Sequence, residues 1–107
     1  MRQLFLLSSL SLLVLASAAD ASAQGKPDAA AGGALAQRWC SSCHLVAPAQ
    51  NNAPAAGAPS FMALGADTAV SADQLRGFLN KPHPPMPDPG LTRQEIENVV
   101  AYIVSLR

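Results

Sequence analysis

The chain has 107 residues, and its seven basic and seven acidic side chains cancel. That length allows one domain at most. The even charge offers no support for a nucleic-acid partner or an anionic membrane surface.

The first residues read as a leader. Arg2 supplies a positive start, and Leu4 to Ala16 is an apolar run broken only by serines. Ala-Ser-Ala follows at 16–18 and again at 21–23, each fitting the small-residue pattern before a signal-peptidase cut. The run is too short and too poorly flanked for a transmembrane span. Cleavage is expected after Ala23, beyond a short polar stretch, with Ala18 as the alternative. The chain therefore divides into a secretory signal over residues 1–23 and one exported domain over residues 24–107. A domain of about 84 residues lies near the size at which one hydrophobic core supplies only a few kcal/mol. Domains that small commonly lean on disulfides, metals or cofactors.

Ala29 to Cys40 is Ala-rich and free of proline, with Leu35 and Trp39 four apart on one face, and reads as a helix. Asp28 is its N-cap. Gly32 and Gly33 each cost about 1 kcal/mol relative to Ala. Either another helix comes close there or the first turn is loose.

Cys40-Ser41-Ser42-Cys43-His44 follows, the C-x-x-C-H spacing for covalent attachment of a c-type haem. Two thiols with two residues between them reach both vinyl groups on one porphyrin edge. His44, next in line, places an imidazole nitrogen on the iron. A disulfide, a thioredoxin-like dithiol and a zinc site are the competing readings. The dithiol wants a βαβ pattern, which is not visible. Zinc wants four ligands, and only His83 stands downstream. A disulfide leaves the adjacent histidine unexplained.

Leu45 to Pro59 holds Pro48, Pro54 and Pro59, Gly57 and many alanines, so it is neither helix nor strand throughout. A loop this long suits a small domain only if it wraps something, and haem is large enough; a plain Ala/Pro linker is the alternative. Ser60 to Leu64 reads as one helical turn ended by Gly65. Ser71 and Gln74 form a capping box, with Val70 and Leu75 as a hydrophobic staple. The helix they start runs to about Asn80, burying Leu75, Phe78 and Leu79, and Pro82 stops it.

Lys81 to Gly90 carries five prolines in ten residues, which fix the backbone and leave few free N–H groups. Met86 sits at its centre between Pro85 and Pro87. A thioether on a stiff loop suits the second axial face of a haem iron, whereas a gap-filling methionine belongs on better core scaffolding. His83 is the rival donor, or a surface histidine. Met62, beside Phe61, reads as core. Thr92 and Glu95 form a second capping box, with Leu91 and Ile96 as its staple. Ile96, Val99, Val100, Ile103 and Leu106 make an apolar stripe of helical period flanked by Tyr102.

With these parts in place, residues 32–106 resemble the class I c-type cytochromes, particularly the small exported ones of bacteria. The likeness rests on Gly32, Cys40-x-x-Cys43-His44, Ala58-Pro59-Ser60-Phe61, the Pro-Met86-Pro loop and the final Val-Ala-Tyr-Ile. It implies an all-α, cytochrome c-like fold of about four short helices wrapped around one covalent haem c. It also implies that the terminal helices cross, with Gly32 making room and Tyr102 packing at the contact. Pro59 matches the position whose carbonyl accepts a hydrogen bond from the proximal histidine, here His44. Ala36 stands where many relatives have an aromatic, so a looser helix contact is expected.

The function implied is single-electron transfer through an iron held by His44 and Met86, in a periplasmic, soluble, monomeric carrier that is not an enzyme. Its partners would be redox proteins. Rival readings are an accessory subunit of a periplasmic oxidoreductase and, if Met86 is not a ligand, an open-site haem sensor or enzyme. A haem-free dithiol protein is more distant.

Overall fold

The computed structural model describes residues 25–52, 55 and 57–107. Their regular structure consists of α1 (Ala29–Trp39), α2 (Phe61–Ala66), α3 (Ala72–Asn80) and α4 (Arg93–Ser105). Among the described residues there is no strand, and the fold is all-α as expected. The expected leader over residues 1–23, both cleavage positions within it, and Pro54 of the long loop lie outside the described residues.

Each helix starts on a side chain that accepts an otherwise unpaired backbone N–H. Asp28 accepts from Ala31, Ser60 from Ala63, Ser71 from Gln74 and Thr92 from Glu95. Both expected capping boxes form, since Gln74 and Glu95 reach back to the N–H groups of Ser71 and Thr92. Helix α2 runs two residues beyond the expected end at Leu64. Gly65 does not end it but lets it approach α4, where a methyl would lie 2.6 Å from the carbonyl oxygen of Ile103.

The other three helices all pack on α4. Its apolar stripe is wholly inside, with Ile96, Val99, Val100 and Ile103 buried. The contact between α1 and α4 is the most extensive. The residues of α1 that enter it most deeply are not the large ones, since Leu35 borders the core only partly buried. Gly32 and Ala36 are buried, whereas Trp39 is 55% exposed. The reason is distance: at Gly32 the α1 backbone meets the Asn98–Val99 peptide of α4, and only residues without bulk fit there. Ala36, one turn on, is fully buried as well. The Asp28 N–H also donates to Asn98 Oδ1, tying the start of α1 to α4.

On α3, Leu75 and Leu79 enter the core as expected, but Phe78 does not; it is 52% exposed. Its ring lies on the flank of the helix, where it meets His83 edge-on at 5.1 Å. Arg76 joins α3 to α4 through Glu97 at 2.7 Å and also reaches Asp73. Such partly exposed pairs contribute little individually. The packing of α3 on α4 rests on its leucines.

Candidate functional site

The C-x-x-C-H segment continues from the end of α1 as a tight turn. The Cys40 N–H donates to Ala36, while the carbonyl of Cys40 accepts from the N–H groups of Cys43 (3.1 Å) and His44 (2.9 Å). This turn brings both cysteines and His44 off the end of one helix. Cys40 is buried within the core cluster, and Cys43 and His44 are half-buried. The two thiols are free, so the disulfide reading has no support here. Burial, and secondarily the neighbouring Cys43, push the Cys40 thiol above its ordinary pKa. Among the described residues no group of three or more His, Cys, Asp or Glu side chains gathers as a metal site of the zinc type.

His44 is held on its ring and on its backbone. Nδ1–H donates to the carbonyl of Pro59 at 2.7 Å, which assigns the proton to Nδ1 and leaves Nε2 with its lone pair. The ring packs on Phe61 at 5.5 Å, and Phe61 in turn meets Tyr102 at 6.4 Å. The N-terminal end of α2 and the C-terminal part of α4 thus back the histidine. Pro59 stands just before the Ser60 cap of α2, so the helix start fixes where its carbonyl points.

The long loop folds back onto this segment. The N–H of Ala55 donates to Cys43 and that of Phe61 to Leu45, at 2.9 and 2.8 Å. Gln50 donates to the carbonyls of Ser41 and His44 and accepts from the Val46 N–H. Asn52 adds a second donor to Ser41, and the Tyr102 hydroxyl donates to Val46. Neither Gln50 nor Asn52 was singled out by sequence. Their signal was there: Gln50-Asn51-Asn52 is the only polar run in a loop otherwise made of Ala, Pro, Val, Leu and Gly.

Met86 lies in the Pro-rich segment, half-buried and packed against the same core that contains Cys40. Its N–H donates to the carbonyl of His83, while His83 itself is exposed beside Phe78. Farther along the segment, Gly90 takes a positive φ of 66° and its N–H meets the carboxylate of Asp88. Met62 is half-buried, and Phe61 is the α2 side chain that enters the core.

This donor set fits haem. Two unbridged thiols lie one turn apart, beside an imidazole whose outer nitrogen alone is free, and a thioether borders the same core. A four-helix fold with this motif at the end of its first helix defines a c-type cytochrome. Residues 27–103 match the family model described as cytochrome c oxidase, cbb3-type, subunit III, and the chain belongs to that cytochrome c family. It is also 45% identical over 95 residues to cytochrome c-552 of Bradyrhizobium diazoefficiens, covering 89% of this chain and 90% of that protein. No solved structure matches the chain. The protein is accordingly a haem electron-transfer cytochrome. Its cofactor is covalent haem c, with Cys40 and Cys43 in the spacing that attachment requires. No helix among the described residues is long and apolar enough to cross a membrane.

Proposed function

We propose that the protein is an exported periplasmic carrier of single electrons, monomeric, whose haem iron is held between His44 and Met86. In this reading residues 1–23 are removed and residues 24–107 form the working domain. The observation that carries it is the His44–Pro59 hydrogen bond of 2.7 Å, which commits one ring nitrogen and leaves the other for a metal.

The bound haem supplies reversible one-electron chemistry at its iron. Everything else falls to the chain. Cys40 and Cys43 would hold the porphyrin by thioether bonds. Pro59, by accepting from Nδ1, keeps the His44 ring in one tautomer and one orientation and makes its outer nitrogen a stronger donor. Met86 would supply a soft thioether that favours ferrous over ferric iron and so raises the potential. Prolines on both sides of Met86 limit how far its backbone moves. With His44 and Met86 both holding the iron, exogenous oxygen or peroxide would have no site, which suits a carrier and not an enzyme.

A second reading has support from the family itself, whose description names an oxidase subunit. In that case the same residues would serve electron delivery to one fixed oxidoreductase. Tight co-purification with a single complex would favour the subunit, and turnover with several soluble partners the free carrier.

The test of the ligand set is an absorption spectrum of the haem-loaded protein, oxidised and reduced, beside Met86→Ala. We expect sharp ferrous bands in the parent, broadened in Met86→Ala, where one protein ligand is lost. The far-red ferric thioether band should be present in the parent and lost in Met86→Ala. A band unchanged by the substitution would move the ligand to His83 or another donor. Carbon monoxide binding to the native reduced protein at neutral pH would instead indicate an open site.

A further inference from the structure

We infer that Gln50 is a positioning residue for His44, acting through the backbone of the haem-attachment turn. The inference rests on the covalent haem and on His44 as its ligand, and concerns what orients that ligand.

The side chain of Gln50 makes three hydrogen bonds, all to one short stretch of backbone. Oε1 accepts from the Val46 N–H at 2.8 Å. Nε2 donates to the carbonyl of His44 at 2.8 Å and to that of Ser41 at 3.1 Å. A carboxamide has one acceptor oxygen and two donor hydrogens, so its acceptor and both donors are matched. No other natural side chain of this size offers one acceptor and two donors in that planar arrangement. Gln50 is half-buried, so the groups it serves would not be fully hydrated in its absence.

The consequence falls on His44. Its N–H is held by the Cys40 carbonyl at 2.9 Å, and its ring by Pro59 at 2.7 Å. Gln50 holds the third polar group, the carbonyl. With that bond in place the peptide planes on both sides of the His44 Cα are fixed, and so is the direction of the Cα–Cβ bond that carries the ring. Without it, the 44–45 peptide is free to turn, and the ring can follow within the slack of the Pro59 bond. Asn52 cannot substitute, because its amide reaches Ser41 alone, at 2.6 Å. Tyr102 anchors the far end of the stretch by donating to the Val46 carbonyl at 2.6 Å. Gln50 therefore joins the cofactor turn to the point where α4 holds the loop.

The test compares the haem-loaded protein with Gln50→Met, Gln50→Glu and Asn52→Ala. Met fills the same length without hydrogen bonds. Glu keeps the size and the bond from Val46 but turns a carboxylate oxygen toward two carbonyls. Two quantities are read: amide hydrogen exchange at Val46, and the pattern of hyperfine-shifted haem methyl resonances of the ferric protein, which follows the orientation of the axial ligands. In Gln50→Met we expect Val46 exchange to rise by about tenfold or more and the methyl pattern to spread differently. Gln50→Glu should change the methyl pattern while leaving Val46 protected, and Asn52→Ala should match the parent in both.

Methyl patterns that superimpose on the parent in Gln50→Met and Gln50→Glu would overturn the inference, whatever their stability, because loop support alone would then be the role of Gln50. Should Gln50→Met fail to fold, Gln50→Glu decides alone. A parent protein without covalent haem, or without signals of a ligated His44, would refute the ligand reading instead. In that case, Val46 exchange in the haem-free chain still reports whether Gln50 clamps the turn.

Discussion

Replacing Gly32 by alanine tests the packing on which the whole fold depends. The added methyl would lie 2.9 Å from the backbone nitrogen of Val99 and would overlap the carbonyl of Asn98. Non-bonded carbon contacts are comfortable near 3.5–4.0 Å. The obstacle is helix backbone, so no side chain can rotate away, and α1 and α4 must separate. Overpacking of this kind costs about 1–3 kcal/mol, occasionally more, and rigid backbone on both sides puts the cost near the upper end. Against it stands the gain of about 1 kcal/mol from alanine over glycine in a helix. The net loss expected is about 2 kcal/mol, a large fraction of the stability of so small a domain.

Gly77→Ala is the internal control. It lies in α3 with nothing within 4 Å of a built methyl, so only the propensity gain of about 0.5–1 kcal/mol remains. Urea unfolding of the haem-loaded proteins, followed by circular dichroism, should place the midpoint of Gly32→Ala below the parent and that of Gly77→Ala above it, at equal slopes. A Gly32→Ala midpoint at or above the parent would refute the close approach of α1 and α4.

Tyr102→Phe removes the hydroxyl that donates to Val46; we expect a loss of about 0.5–1.5 kcal/mol in the same assay, and an unchanged midpoint would show that water serves that carbonyl equally well. Glu95 is held below its usual pKa by its hydrogen bond from the backbone of Thr92, and next by the Thr92 hydroxyl. A carboxylate with a lowered folded-state value stabilises above its unfolded value of about 4.3 and loses that contribution as pH falls through the folded one. Glu95→Gln keeps the capping-box geometry but not the titration, so the stability gap between parent and variant at pH 7 should shrink on acidification to pH 3. A gap that stays constant would remove Glu95 from the acid response.

Local patterns in the sequence are followed closely by the structure wherever the cause is local. The Ser71–Gln74 and Thr92–Glu95 boxes, the stop at Pro82 and the apolar stripe of α4 each depend on residues within one or two turns. The Cys40–His44 spacing is of the same kind, because attachment chemistry needs those side chains on consecutive turns of one backbone. These features were legible because no distant contact is required to make them.

What the sequence left open depended on which surfaces meet. Leu35 and Trp39 are the larger hydrophobic side chains of α1, yet Leu35 only borders the core and Trp39 is exposed. Gly32 and Ala36 are the buried ones because α4 comes within backbone contact at Gly32, a distance that no count of apolar residues reveals. Phe78 belongs to an apolar cluster in sequence, yet it lies outside because α3 is oriented by Leu75 and Leu79 and its flank faces His83. The Gln50 clamp was hidden for a related reason. A glutamine in a loop has many possible partners, and only the return of residues 45–59 over the end of α1 brings its amide to the carbonyls of Ser41 and His44. The sequence by itself determined the cofactor motif and the helix starts, through chemistry confined to neighbouring residues. The tertiary structure alone decided which small residues let the helices touch and which polar side chain orients His44, because both are set by distances between segments far apart in the chain.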